Sequence, residues 1–247
     1  MVRPRDGVGR FVELGVFRPV AFLSRPVRAY LPPSYDPSVA SPLLLMFDGQ
    51  NAFGDEGSFA GGWHAHEAVN RLAVSQTSIA PIVVALENGG RARTHEMGSE
   101  VRGFVSEVAT TLVSRLEAIF NLQPASGRAI LGASLGGLAA LLAHFEHPEA
   151  FGTAIAMSPS LWFARRRYME MLAQVDIPSR SRVYIDAGMR ENGRMFLDAH
   201  DLGRNLIGRG HPNVMWRPDS KGTHHERHWR RRLPKSLRFA FPRPKAG

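Results

Sequence analysis

Short apolar runs alternate along this chain with longer segments in which apolar residues recur at helical spacing. The short runs have the length of buried β-strands, and polar or glycine-containing turns follow several of them. This alternation indicates an α/β fold with a mostly parallel central sheet and helices on both faces. The predicted strands are residues 10–16, 26–30, 43–47, 82–86, 129–132, 152–157, 183–186 and 213–216, and the predicted helices are residues 64–74, 99–120, 135–147 and 226–239.

The composition is that of an ordinary globular protein, with 44% hydrophobic and 21% charged residues. A chain of 247 residues can bury a sizeable core, so we expect a single domain over residues 1–247. Residues 1–9 and 240–247 are expected to be flexible ends. The chain contains no cysteine, which excludes disulfides, thiolate catalysis and cysteine-ligated zinc.

The N-terminal part of the sequence predicts neither a secretory signal nor a membrane span. The N-terminal segment carries charge but lacks the apolar stretch of a secretory signal. The apolar run at residues 43–47 is far too short to cross a bilayer. We therefore expect a cytoplasmic protein with no membrane partner.

The formal net charge of +9 raises the question of nucleic-acid binding. Residues 165–167 and 230–232 are all arginine, and the second cluster continues into a basic C-terminal tail. No aromatic-rich RNA-binding motif or helix-turn-helix pattern accompanies these clusters. We interpret them as a solvated helix face and a basic tail, and the sequence argues against nucleic acid as a partner.

The most informative motif is residues 132–136, GASLG, which lies between a predicted strand and a predicted helix. This is the order of a nucleophile elbow, in which a serine at a sharp turn is presented at the end of a sheet. Small residues two positions before and after Ser134 permit the reversal of the chain. The motif predicts an α/β-hydrolase fold with Ser134 as the catalytic nucleophile.

A serine nucleophile needs donors for the oxyanion that forms on the substrate. The backbone N–H of Leu135, at the start of the helix, is predicted to supply one of them. The second donor usually comes from the loop after the third strand, which here reads Asp48-Gly49-Gln50-Asn51. Gln50 is the first candidate for it and Asn51 the alternative.

The general base of such a site is a histidine that follows the last strand, and the acid lies between the nucleophile and that histidine in the chain. His224, His225 and His228 fall in the required region, and His224 follows a flexible Gly-Thr turn. We predict His224 as the base. Residues 225–228, HERH, are one residue too short for a zinc-binding HExxH motif, so we expect no metal and no cofactor.

The acid is expected after the strand at residues 183–186, where a carboxylate can orient the imidazole. Glu191, in the loop after that strand, is the first candidate, and Asp186 at the strand end is the alternative. Trp162 follows a Ser-Pro turn near the expected mouth of the site. We predict that it lines a substrate pocket, although packing beneath a cap segment is an equal interpretation.

These motifs resemble the esterase family that includes enterochelin esterases and is similar to esterase D. The resemblance covers residues 29–239 and implies a serine esterase with Ser134 as nucleophile, His224 as base and Glu191 as acid. Some siderophore esterases of this kind use a Ser-His pair alone, so the acid stays open. The residues that carry the resemblance are 48–51 (DGQN), 87–91 (ENGGR), 132–137 (GASLGG), 157–162 (MSPSLW), 183–188 (VYIDAG) with Glu191, and 224–226 (HHE) with Trp229.

The chain departs from the family pattern at two positions. His225 stands where asparagine or serine is expected, and Ala133 stands where many members have serine. Neither departure removes a catalytic group.

The expected function is hydrolysis of a small-molecule carboxylic ester through an acyl-enzyme. The alternatives are an acyltransferase on the same scaffold and a non-catalytic basic binding protein, and the oligomeric state is not predicted.

Overall fold

Eight strands form one mixed sheet in the order β1-β2-β4-β3-β5-β6-β7-β8. The structure is a computed structural model that describes residues 9–58, 60–74, 78–178 and 180–243, without the side chain of Arg165. Every strand overlaps a strand predicted from the apolar runs. The strands are β1 (Arg10–Phe17), β2 (Arg25–Leu31), β3 (Leu43–Met46), β4 (Ile82–Leu86), β5 (Arg128–Ala133), β6 (Thr153–Met157), β7 (Arg182–Gly188) and β8 (Val214–Asp219).

Strand β2 runs antiparallel to both of its neighbours, β1 and β4. All pairs from β4 to β8 are parallel. The mostly parallel sheet is therefore confirmed, with an antiparallel hairpin at one edge. Strands β3 to β6 are buried along their whole length, which explains why they are continuous apolar runs in the sequence.

Helices cover both faces of the sheet, as predicted. Helices α1 and α7 pack on one face, and α2 to α6 pack on the other, so that the sheet separates two apolar cores. The predicted helix at residues 99–120 is α2 and α3, joined by a π-helical turn at Val108–Leu112. The helices are α1 (Ala65–Ala73), α2 (Val101–Glu107), α3 (Val113–Ile119), α4 (Leu135–Glu146), α5 (Arg167–Gln174), α6 (Gly193–Gly208) and α7 (Glu226–Ala240).

The predicted flexible ends lie mostly outside the described residues, which exclude 1–8 and 244–247. The described part of the C-terminal segment, residues 240–243, begins with two buried residues. Ala240 and Phe241 are buried in the core beneath α1 and α7, and the Phe241 carbonyl accepts a hydrogen bond from the Ile79 N–H at 3.0 Å. The tail therefore starts later than residue 240.

The parallel strands place their carboxyl ends at one edge of the sheet, where ligands bind in folds of this class. Ala133 at the end of β5 pairs with Met157 at the end of β6, which in turn pairs with Asp186 in β7. The loops that follow these strands carry Ser134 and Glu191. The register thus brings together residues that lie far apart in the sequence.

At the opposite edge of the sheet, hydrogen bonds through two buried histidines link the segments that precede β6, β7 and β8. The Asn213 N–H donates to His211 Nδ1 at 3.1 Å, which leaves His211 Nε2 to donate to Ser181 Oγ at 2.8 Å. Ser181 in turn hydrogen-bonds His144 Nε2, and His144 Nδ1 donates to the Phe151 carbonyl at 2.8 Å. Each partner is satisfied only when both histidines are neutral.

We predict that acid destabilises the protein through this pair of histidines. Burial lowers the pKa of His144 from 6.5 to about 4, and burial also lowers the pKa of His211. A lowered histidine pKa gives stability that is complete above pH 6.5 and is lost as the pH falls toward 4. His144 alone is expected to reduce the free energy of unfolding by about 2 kcal/mol between pH 7.5 and pH 5.

Urea unfolding at several pH values measures this effect. His144→Gln, which has no proton to gain, is expected to flatten the pH dependence although it lowers stability at neutral pH. The exposed His95 is the matched control, and His95→Gln should leave the slope as it is in the wild type. A slope that is the same in all three proteins would contradict the prediction.

Candidate active site

Ser134 lies at the turn between β5 and α4 in a strained backbone conformation, with φ 59° and ψ −124°. A residue other than glycine adopts this conformation only when its surroundings enforce it. The Ser134 N–H donates to the Met157 carbonyl at 3.0 Å, and a Cβ at Gly132 would lie 2.1 Å from the Gly136 carbonyl oxygen. This is the nucleophile elbow that the GASLG motif predicts.

The structure brings the predicted nucleophile, base and acid together. His224 Nε2 lies 3.0 Å from Ser134 Oγ, and His224 Nδ1 lies 3.4 Å from Glu191 Oε2. The imidazole, which is about one-third exposed, stands between a buried carboxylate and the serine hydroxyl. This order of contacts allows His224 to receive the serine proton while the carboxylate faces its other nitrogen.

Glu191 is held in place by several donors. Its Oε1 accepts hydrogen bonds from Ser158 Oγ at 2.7 Å and from the Gly188 N–H at 2.9 Å, and Arg232 Nη2 lies at 3.7 Å. Burial by itself raises the pKa of Glu191, but the hydrogen bonds from His224, Ser158 and Gly188 outweigh it, so the pKa lies below its usual value. Glu191 is therefore a carboxylate at neutral pH, with Oε2 directed to His224.

Asp186, the alternative acid, occupies a different place. It is fully buried, and its carboxylate lies 3.2 Å from Arg232 Nη1. Burial raises the pKa of Asp186 to about 7, against the opposing effect of Arg232. In the described residues it makes no contact with His224, so Glu191 is the better placed of the two carboxylates.

Two serines that follow β6, Ser158 and Ser160, also lie at the site, although the sequence predicted no role for them. Ser158 Oγ donates to Glu191 and accepts hydrogen bonds from Trp229 Nε1 at 3.1 Å and Arg232 Nη2 at 3.0 Å. Ser160 Oγ lies 3.1 Å from Ser134 Oγ. The available signal was the position of both serines directly after a buried parallel strand next to the elbow strand.

The two oxyanion-hole candidates lie at the start of α4 and in the loop after β3. Leu135 is the first residue of α4, and Gln50 lies in the short 3₁₀ turn after β3 and lines the same cleft as Ser134. The Asn51 N–H already donates to the Asp48 carbonyl at 2.9 Å, which favours Gln50 over Asn51 as the second donor.

Ser134 and His224 open into a cleft of about 530 Å³. One wall contains Trp63 and Trp229, whose ring centres are 5.8 Å apart, and Trp229 also packs edge-on against His224. Trp162 does not line this cleft. The lining residues are Asp48, Gln50, Asn51, Ala60, Trp63, Asn88, Gly90, Arg93, Ala133, Ser134, His224, His225, Glu226 and Trp229.

Trp162, which we predicted to line the pocket, is instead about half exposed and packs against Phe163. Phe163 occupies the space above Gly98, where a Cβ would lie 2.6 Å from its ring. Phe163 begins the 3₁₀ turn at Phe163–Arg166, and it packs against the core on the face of the sheet that α2 to α6 cover. The packing interpretation of the segment is therefore the one that this geometry favours.

An ion pair forms the opposite wall of the cleft. Arg93 donates from Nε and Nη2 to the two oxygens of Asp48, at 2.6 and 2.8 Å. Asn88 Nδ2 donates to the same carboxylate at 2.6 Å. These contacts tie the loop after β4 to the loop that carries Gln50, and so hold the candidate oxyanion donor in place.

Among the residues that the structure describes, no group of three or more histidine, aspartate or glutamate side chains is arranged to hold a metal ion. No helix in the described ranges combines the length and the apolar character that a membrane span requires.

A family model described as "Putative esterase" matches residues 23–240. The chain belongs to this esterase family. It is 28% identical over 143 residues to the iron(III) enterobactin esterase of Escherichia coli O6:H1, a match that covers 51% of this chain and 36% of that protein. It is 29% identical over 157 residues to the iron(III) salmochelin esterase of the same strain, with 61% and 36% covered. The chain thus matches only about a third of the length of these relatives.

Solved structures share the fold of this chain. The enterobactin esterase of Shigella flexneri superimposes with a TM-score of 0.78 at 22% identity, covering 96% of this chain and 59% of that one. The BES protein of Bacillus cereus superimposes with a TM-score of 0.76 at 19% identity, covering 98% and 97%. The fold of this family member is the predicted α/β-hydrolase fold.

We predict that Arg232 is essential for stability because its buried guanidinium lies close to three carboxylates. It is 8% exposed and lies within 4.0 Å of Asp186, Glu191 and Asp219. Removing one partner of a buried charge cluster leaves the others uncompensated. Arg232→Leu is expected to lower the free energy of unfolding by about 3 to 5 kcal/mol, measured by urea denaturation.

The neighbouring Arg231 provides the control. It also pairs with Asp219, at 2.5 Å, but half of its side chain is exposed. Arg231→Leu is expected to cost no more than about 1 kcal/mol. Equal losses for the two variants would show that burial of the Arg232 cluster does not matter.

Proposed function

We propose that this protein is a serine carboxylic ester hydrolase that works through an acyl-enzyme on Ser134, with His224 as the general base. One observation carries the proposal: a serine in a strained turn has its hydroxyl 3.0 Å from a histidine nitrogen, and both side chains line an open cleft. Membership of the esterase family supports it.

In acylation, Ser134 Oγ attacks the carbonyl carbon of the ester while His224 Nε2 takes the serine proton. The carbonyl oxygen gains negative charge, and the N–H groups of Leu135 and Gln50 are the proposed donors to it. The bond to the alcohol then breaks, and His224 returns the proton to the departing oxygen. The acyl group remains on Ser134.

In deacylation, the same histidine takes a proton from water as the water oxygen attacks the acyl carbon. The second tetrahedral intermediate collapses, and His224 protonates Ser134 Oγ as the carboxylic acid leaves. Glu191, as a carboxylate beside Nδ1, keeps the proton on that nitrogen and stabilises the imidazolium that forms in both steps.

The proposed partner is a small-molecule ester with both an apolar part and hydrogen-bonding groups. The cleft offers the indole rings of Trp63 and Trp229 on one side and Arg93, Asn88 and Gln50 on the other. Two relatives are named for the siderophores enterobactin and salmochelin. A screen of alkyl esters of increasing acyl length, aryl esters and siderophore lactones would identify the acyl and alcohol groups that the cleft accepts.

Ser134→Ala is expected to abolish hydrolysis of short p-nitrophenyl esters, with a loss of at least about 1,000-fold in kcat. The reason is that no other residue replaces the nucleophile. A fluorophosphonate probe should label wild-type Ser134, as located by peptide mass spectrometry, and should not label the variant. A folded wild-type protein that hydrolyses no ester and takes up no label would overturn the proposal.

Glu191→Gln is expected to lower kcat by about 100-fold or more, because the amide cannot stabilise the imidazolium. Asp198→Asn is the matched control. Asp198 is also a buried carboxylate, with Arg166 at 3.1 Å, but its hydrogen-bonding contacts lie away from Ser134 and His224. Full activity of Glu191→Gln in steady-state assays would support a Ser-His pair that works without an acid.

A further inference from the structure

The nucleophile has a second hydroxyl beside it. Ser160 Oγ lies 3.1 Å from Ser134 Oγ, and the Ser160 side chain is 1% exposed. The Ser160 N–H also donates to the Ser134 carbonyl at 2.9 Å, which fixes the two residues against each other. Within the part of the chain that the structure describes, Ser134 is the hydrogen-bonding partner of the Ser160 hydroxyl.

The direction of this hydrogen bond follows from the neighbouring contacts. A neutral His224 has one N–H, and Glu191 Oε2 is the acceptor that faces its Nδ1. Nε2 therefore accepts, and the proton that it accepts belongs to the Ser134 hydroxyl. Ser134 Oγ has donated its only proton, so in its contact with Ser160 it accepts, and Ser160 donates.

A fixed donor on Ser134 Oγ acts differently in the two halves of the reaction. In acylation this oxygen is the attacking group, and a hydrogen bond to it reduces its nucleophilicity. In deacylation it is the leaving group: the bond between the acyl carbon and Oγ breaks, the electron pair moves to Oγ, and His224 supplies the proton. A buried donor at 3.1 Å stabilises the charge that develops on Oγ in that step.

We propose that Ser160 is a further catalytic residue, whose hydroxyl donates to Ser134 Oγ and accelerates the breakdown of the acyl-enzyme. This inference rests on the proposed function, because it requires an acyl group on Ser134. It predicts that loss of the hydroxyl slows deacylation more than acylation. A residue that served only in packing would change both steps together, or neither.

The test is pre-steady-state hydrolysis of p-nitrophenyl acetate by the full chain. The burst of p-nitrophenol reports acylation and the later linear phase reports deacylation. Ser160→Ala is expected to slow deacylation by about 10- to 100-fold, while acylation changes by less than about threefold. Intact-protein mass spectrometry of quenched samples should then show acetylated variant accumulating during turnover.

Ser78→Ala is the matched control, since Ser78 is also 1% exposed and its hydroxyl has no hydrogen-bond partner in the described part of the chain. It is expected to keep both wild-type rates. Ser160→Cys retains the shape of the side chain with a weaker donor, and its deacylation rate should fall between those of the wild type and Ser160→Ala. It also serves as the test protein if the alanine variant does not fold.

The outcomes separate this inference from the proposed function. Absence of a burst and of fluorophosphonate labelling in the wild type would reject Ser134 as the nucleophile. If the wild type is labelled and active, two results would reject the role of Ser160 alone. In the first, Ser160→Ala deacylates at the wild-type rate; in the second, acylation and deacylation slow equally. If only the cysteine variant folds, an unchanged ratio of its two rates rejects that role in the same way.

Discussion

The active-site region depends on the strained backbone of Ser134, which is held in place by one hydrogen bond to the end of β6 and one from the segment that follows β6. The Ser134 N–H donates to Met157, and the Ser134 carbonyl accepts from the Ser160 N–H. These contacts lock the elbow to the segment that follows β6. Because Ser158 lies in that segment and binds Glu191, the conformation of Ser134 and the position of Glu191 depend on the same short stretch of chain.

A second constraint is the cluster of charged side chains beside Glu191. Asp186, Glu191 and Asp219 surround Arg232, and the two carboxylates nearest to it are buried. The pKa shifts of the two residues are opposite. Hydrogen bonds from His224, Ser158 and Gly188 lower the pKa of Glu191, whereas burial raises the pKa of Asp186 against the opposing effects of Arg232 and Tyr184. Hydrogen bonding rather than burial alone therefore distinguishes the carboxylate that faces His224 from its neighbour.

The pattern of apolar positions predicted all eight strands and the helices that flank the site, because buried parallel strands are continuous apolar runs. No range was predicted for helices α5 and α6. In α5 only three of the eight residues are buried, and the flanking arginines obscure its periodicity. The pairing of Ser134, His224 and Glu191 followed from the order of motifs along a known type of fold. Trp162 could not be placed in this way, because the direction of a side chain after a turn depends on packing partners such as those of Phe163.

By itself, the sequence determined the strands, the helices next to the elbow and the elbow itself, because these depend on local periodicity and on glycine at crowded turns. Only the tertiary structure decided which of two carboxylates faces His224, and that the Asn51 N–H is already bonded to the Asp48 carbonyl. It alone showed that Ser158 contacts Glu191 and that Ser160 lies beside Ser134. Such contacts are made between loops distant in the chain, and their distances follow from the register of β5, β6 and β7, which no local pattern encodes.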